Sequence, residues 1–152
     1  MDKKSLILIV VCIIVFSFVC LSYLGVFNHE ETLQVGEINF KLPEGYKLAG
    51  KDKDGNEKIT NGVESILFNY YDDTNVSKNV NNYIKYCNSK KWNVNSSNFT
   101  TNGVVVYETV TSTGSNHYWF VYKDKTYAFF TSKETFNIDD IAHSLIDSAI
   151  SK

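Results

Sequence analysis

An α+β domain behind an N-terminal transmembrane helix is the fold class this sequence predicts, with an antiparallel sheet packed against two helices. Three observations predict it. No charge occurs from Ser5 to Phe27, and a helix of that length reaches roughly 34 Å, enough to cross a hydrocarbon core of about 30 Å. Short alternating runs separated by Gly, Asn-Gly and Asp-Gly signals read as strands joined by tight turns. Two segments, near 76–90 and 138–150, carry apolar residues at spacings of three and four, the mark of helices with one buried stripe.

The uncharged stretch sets the organisation. Residues 1–27 are expected to be a cytoplasmic stub and transmembrane anchor, 28–34 a connector, and 35–152 an extracytoplasmic domain. Signal cleavage requires small residues after a short apolar core, and "FSFVCLSYLGVF" is bulky at most candidate positions. Cys20 follows Phe18 and Val19, where a lipid-modified cysteine would want small neighbours. An uncleaved anchor is therefore expected, with the bilayer as partner for residues 5–27. Lys3 and Lys4 precede the span while Glu30 and Glu31 follow it. The chain should cross once, amino terminus in the cytoplasm and domain outside.

Within the domain, "INFKLPEGYKLAG" gives a strand over about 37–41, a turn at Pro43–Gly45 and a second extended piece. Pro43, the single proline, falls where a ladder hydrogen bond is dispensable. "DKDGNEK" is a polar turn around Asp54–Gly55, followed by a strand over 63–71. Val76, Val80, Tyr83, Ile84 and Cys87 form the stripe of the first helix, with Cys87 as a small buried hydrophobe. A strand ending near Phe99 turns at Asn102–Gly103 into another over 104–111.

The run "HYWFVYKDKTYAFFT", residues 117–131, is a hairpin. A turn at Asp124–Lys125 sets Tyr122 opposite Tyr127, Phe120 opposite Phe129 and Tyr118 opposite Thr131. One face then holds Tyr118, Phe120, Tyr122, Tyr127 and Phe129, and the other Trp119, Val121, Ala128 and Phe130, because side chains alternate along a strand. Both faces need cover, which places the hairpin near the middle of a layered sheet. If the first face were incompletely covered, Tyr118, Phe120, Tyr122 and Tyr127 would line an aromatic groove for a peptide, glycan or envelope protein; if covered, they are core. The last helix has Asn137 at its N-cap, Asp140 at N3, and Phe136 with Ile141 as a hydrophobic staple. Ile138, Ile141, Ala142, Leu145 and Ala149 form its buried stripe, leaving His143 solvated.

Several function classes find no support. A net charge of −2 argues against nucleic acid as partner. Cys12 and Cys20 lie in the apolar stretch, so Cys87 has no cysteine within the domain to pair with. His29, His117 and His143 lack metal-ligand spacing, and "DKDGNE" is too short between Asp and Gly for a calcium loop. There is no Gly-rich phosphate loop and no G-x-S-x-G elbow, so no catalytic residue, metal or cofactor is assigned. Among sixteen asparagines, Asn75, Asn95 and Asn98 begin N-x-S/T triplets and are candidate glycan sites if the domain faces outward.

Phe40, Pro43, Gly45 and Tyr46 form an F-x-x-P-x-G-aromatic opening. With the order hairpin, helix, hairpins, helix, the domain resembles small α/β/α sandwiches of the PsbP, Mog1 and DcrB kind over roughly residues 35–152. It is also similar to short membrane-anchored proteins of unknown role in methane-producing archaea. The sandwich resemblance implies a binding or assembly role and carries over no catalytic residue. The expected function is a non-enzymatic, membrane-anchored binding or assembly domain. An envelope hydrolase with a site assembled from distant residues is the first alternative, and a purely structural envelope protein the second.

Overall fold

A computed structural model of the chain describes residues 11–17, 19–20, 31–131, 133, 135 and 137–150. The chain divides into two compact units, Met1–Glu30 and Glu31–Lys152. In the first, residues 11–17 and 19–20 are helical. Most of the expected anchor over 5–27 lies outside the described residues, and among the described residues no helix is long and apolar enough to cross a membrane.

The second unit is α+β with antiparallel sheets. Its strands are β1 (Thr32–Val35), β2 (Ile38–Lys41), β3 (Lys47–Lys51), β4 (Glu57–Thr60), β5 (Ser65–Tyr71), β6 (Val94–Thr101), β7 (Val104–Thr111), β8 (Asn116–Tyr122) and β9 (Lys125–Thr131). Helix α1 (Val76–Ser89) lies between β5 and β6, and α2 (Ile138–Ile150) follows β9. β1 and β2 form a separate hairpin, and the other seven strands form one sheet in the order β3-β4-β5-β9-β8-β7-β6.

The aromatic hairpin β8–β9 is central, as its two apolar faces require. Its turn is Lys123–Asp124, with φ of 47° and 61°, rather than Asp124–Lys125. Tyr122 therefore pairs with Lys125, Phe120 with Tyr127 and Tyr118 with Phe129. Lys and Asp both accept the left-handed conformation that this two-residue turn imposes, and Asp does so the more readily. The partners are displaced by two residues, an even number, so every side chain keeps its expected face.

One face of the sheet is closed by two elements. Tyr118, Phe120, Tyr127 and Phe129 are fully buried there with Phe40 of β2, Ile66 and Phe68 of β5, and Leu145 and Ile146 of α2. They are core side chains, not the lining of a groove, and Tyr122 is partly buried against the same cluster. The Tyr118 hydroxyl donates to Asp139 Oδ1 at 2.8 Å, which satisfies the polar end of a buried ring in the first turn of α2. Lys41 N–H donates to Ser148 Oγ at 3.0 Å, and Thr101 Oγ1 donates to Asp147 Oδ1 at 2.6 Å; both tie α2 to its neighbours. Gly36 lets the β1–β2 turn approach: its φ is +57°, and a Cβ there would lie 3.3 Å from Tyr127 Oη.

α1 packs on the opposite face, with Val80 buried against Trp119 and Ala128, and Val76, Tyr83 and Ile84 partly so. Cys87 is buried. Asn75 caps α1, its side chain accepting from Lys78 N–H at 3.0 Å. Asn137 has φ +52°, and its carbonyl accepts the first helical bond of α2 from Ile141 N–H at 3.1 Å. The expected staple partner Phe136 lies outside the described residues. Ile146 joins the buried stripe of α2 in addition to the expected residues, while Ile141 is only partly buried.

Two strands were not anticipated. β1 begins inside the expected connector, with Leu33 and Val35 turned to the core and Thr32 and Gln34 to solvent. β4 occupies Glu57–Thr60, and the strand expected from 63 starts at Ser65. Asn61 Oδ1 accepts from Val63 N–H at 2.9 Å and from Glu64 N–H at 2.8 Å, which turns residues 61–64 away from extended pairing.

Leu145 is fully buried between α2 and the sheet. Leu145→Ala should cost roughly 2 to 5 kcal/mol by leaving a cavity. A denaturant midpoint of the 31–152 unit that moves by less than about 1 kcal/mol equivalent would be incompatible with this packing.

Candidate binding cleft

The two sheet faces are covered unequally. On the core face, the β1–β2 hairpin lies over β5 while α2 contacts β2, β6 and β8. On the other face, α1 lies across β6, β7 and β8, and the half made by β5 and β9 opens into a cleft of about 360 Å³. Its position follows from strand alternation. Leu67 pairs with Phe130 and Asn69 with Ala128 across β5–β9, and His117 and Trp119 pair with Phe130 and Ala128 across β9–β8. All of these point away from the core face.

Phe130 and Ala128 form the floor with Trp119, which is only 3% exposed. His117 stands between two rings, with its centroid 4.0 Å from that of Tyr83 and 4.7 Å from that of Phe130, at interplanar angles of 28° and 12°. α1 contributes Asn79 and Asn82 to the rim, β5 contributes Asn69 and Tyr71, and the β3–β4 turn contributes Asn56. Tyr71 is 39% exposed. Burial, then the nearby Asp73 carboxylate, raises its phenol pKa, so the hydroxyl stays protonated at neutral pH.

His117 Nε2 lies 3.1 Å from Ser115 Oγ. The Ser115 hydroxyl donates its proton to the Thr131 carbonyl, so its oxygen accepts from a protonated Nε2. Burial alone pushes the imidazole pKa down to about 3. The ring is enclosed on both faces although its edge reaches the surface, and it is neutral at physiological pH. Burial also raises the phenol of Tyr83, with Cys87 adding to the effect. The cleft wall is thus aromatic, polar and uncharged.

A second, wider hollow of about 540 Å³ lies beside the Pro43–Gly45 turn. It carries Glu44, Glu64 and Asp140 together with Tyr46, whose hydroxyl lies 3.3 Å from Glu64 Oε2. Burial, then the Glu64 charge, raises the Tyr46 phenol to about 12. Among the described residues, no group of His, Cys, Asp or Glu is arranged to hold a metal ion. His143 is exposed on α2, its ring 4.4 Å from that of Phe99. Asn75, Asn95 and Asn98 are all exposed, the last two on the edge strand β6.

Of the four aromatics expected to line a groove, Tyr118, Phe120, Tyr122 and Tyr127, none lines this cleft. Their alternation partners do: His117, Trp119, Ala128 and Phe130. The amide rim was not foreseen, since its members come from three separate elements. The one signal available was that Asn69 interrupts the apolar pattern of "SILFNYY" on an interior strand.

Neither a family model nor a curated protein matches the chain. In structure, it is similar to the solution structure of cyanobacterial PsbP (CyanoP) from Synechocystis sp., at 9% identity and a TM-score of 0.49, covering 78% of this chain and 88% of that one. At that score and identity nothing about activity or partners follows from it. The expected similarity to archaeal membrane-anchored proteins is not shown by any of these matches.

The low pKa of His117 gives a signed prediction. The unfolded state takes up a proton below about pH 6.5, whereas the folded state does so only near pH 3. Stability is therefore fully present above pH 6.5 and falls as pH drops through that window, by about 1.4 kcal/mol per unit at most. Between pH 6.5 and 4.5 the loss should be about 2 kcal/mol. Asp52, whose pKa is lowered first by its bond from Asn56, keeps its contribution above its unfolded value and does not intrude on this window. Urea titrations should show the slope in the wild type and lose it in His117→Gln; identical pH profiles would show that the imidazole is not enclosed as described.

Proposed function

We propose that this chain is a membrane-tethered, extracytoplasmic binding domain that does no chemistry of its own, with the cleft beside α1 as its binding site. The observation that carries the reading is the cleft itself: a half-face of a central sheet left open by α1, with an aromatic floor and an amide rim. Small-ligand sites combine these features, an apolar base with a few polar groups that fix orientation. The uncharged stretch 5–27 and the lysines before it support a single crossing with the domain outside, and helical residues 11–17 and 19–20 are compatible with it.

The Ser115–His117 pair is the observation that favours a hydrolase. Its geometry argues the other way. A general base must accept the serine proton, but that proton is directed at the Thr131 carbonyl and Nε2 already carries its own. Burial also leaves the imidazole a poor base near neutrality.

In native membranes, a photo-crosslinker at Asn82 should label a ligand or partner more strongly than one at Thr113, outside the cleft, and Tyr71→Ala should reduce that labelling. Protease added to intact cells should remove the 31–152 unit while cytoplasmic controls survive. Equal labelling at both positions would remove the binding site. A protected domain would remove the topology. Hydrolytic turnover that vanishes in Ser115→Ala would replace the binding reading with the enzyme.

A further inference from the structure

Resting on the reading of the cleft as a binding site, we propose that it takes an uncharged sugar ring of a glycan. Charge comes first. About one residue in five of the chain is charged, yet no Asp, Glu, Lys or Arg lines the cleft, and His117 is enclosed between rings and neutral. An anionic ligand would lose hydration here, gain no counter-charge and meet the Asp52 and Asp73 carboxylates behind the rim amides.

The rim then selects against a purely apolar ligand. Asn56 and Asn79, both lining the cleft, use their Nδ2 groups on Asp52 and Asp73, at 2.9 and 3.1 Å, which leaves their carbonyl oxygens as acceptors. Asn69 uses its Oδ1 on Tyr70 N–H at 2.8 Å, which leaves its amide protons as donors. Among the described residues Asn82 bonds to nothing and offers both. An apolar occupant would bury these groups unpaired. Hydroxyl groups each donate and accept, and so match a rim that mixes the two.

A peptide would be recognised largely through its backbone, by adding to a sheet edge. That route is closed in this cleft. β5 is paired on both sides by β4 and β9, and β9 by β5 and β8, so the floor has no free ladder groups and only side chains are on offer. Sugar rings suit such a surface: their axial C–H face is apolar and their edge is polar. Phe130 on the floor and the exposed ring of Tyr71 supply aromatic faces, and the stack through His117 to Tyr83 holds Phe130 in place. A volume of about 360 Å³ is at the small end of ligand sites, enough for one or two rings.

The chain has two tryptophans, and Trp92→Phe leaves Trp119 in the cleft floor as the reporter. The full-length Trp92→Phe chain, in phosphocholine micelles, would be titrated with methyl glucoside, methyl galactoside, N-acetylglucosamine, methyl glucuronide and a mixture of uncharged tripeptides. At least one neutral sugar should change the Trp119 emission saturably, with Kd on the order of millimolar for so small a ligand. The glucuronide should bind about tenfold more weakly, and Asn82→Ala and Tyr71→Ala should each weaken the neutral sugar about fivefold. Both positions are exposed, so neither change threatens the fold. Saturation by tripeptides but by no neutral sugar would overturn the glycan assignment and leave the binding reading intact. Glucuronide binding as tight as the glucoside would overturn the requirement for a neutral ligand. No saturation by any probe, with equal crosslinking at Asn82 and Thr113, would bring down both.

Discussion

A strand pair with two apolar faces cannot sit at the rim of a sheet, because each aromatic side chain left in water forgoes on the order of 1.5 to 3 kcal/mol of burial. β8 and β9 are such a pair. With Tyr118, Phe120, Tyr127 and Phe129 on one side and Trp119, Ala128 and Phe130 on the other, they require a neighbouring strand at each edge and a layer on each face. The order β3-β4-β5-β9-β8-β7-β6 meets the first requirement. The hairpin β1–β2 with α2, and α1 opposite, meet the second.

The cleft follows from how far each layer reaches. Seven strands spaced about 4.8 Å apart spread over roughly 29 Å, while one helix is about 10 Å across. A lone helix therefore cannot cover a sheet of this width. On the core face the β1–β2 hairpin lies beside α2 and makes up the difference, locked by the close approach of Gly36 to Tyr127. α1 has no such companion on its side. What it leaves open is furnished with Asn69 on β5 and a recessed His117, where a buried half-face would carry aliphatic residues.

Much of this architecture was legible because strand alternation is insensitive to even errors. Placing the turn at Asp124–Lys125 mispaired every residue of the hairpin but left each side chain on its correct face. Both helices were readable from their stripes, since three- and four-residue spacing over four turns has few competing explanations. β1 and β4 escaped because four-residue strands hold only two inward positions each: Leu33 and Val35 in one, Glu57 and the buried Ile59 in the other. The expected anchor rests on composition alone, and most of its residues lie outside those described. Beyond the break that Asn69 makes in the pattern of β5, the cleft was not readable, because Asn56, Asn69, Asn79 and Asn82 meet only after three separate elements have packed.

The choice of aromatics shows why composition is a poor guide to a site. Tyr118 and Phe120 drew attention as the densest aromatic cluster, but density on one face is a packing demand, and the demand was met by Phe40, Leu145 and Ile146. The residues between them, His117 and Trp119, face the side with the thinner cover. A single position along a strand thus separates core from cleft. The same alternation explains the contrast in chemistry. Tyr118 can stay deep in the core because its hydroxyl reaches Asp139, whereas His117 has only a neutral serine oxygen beside it. An imidazolium there would lack a counter-charge, so the fold holds the ring neutral, and the cleft it borders is uncharged as a consequence of how the sheet is covered.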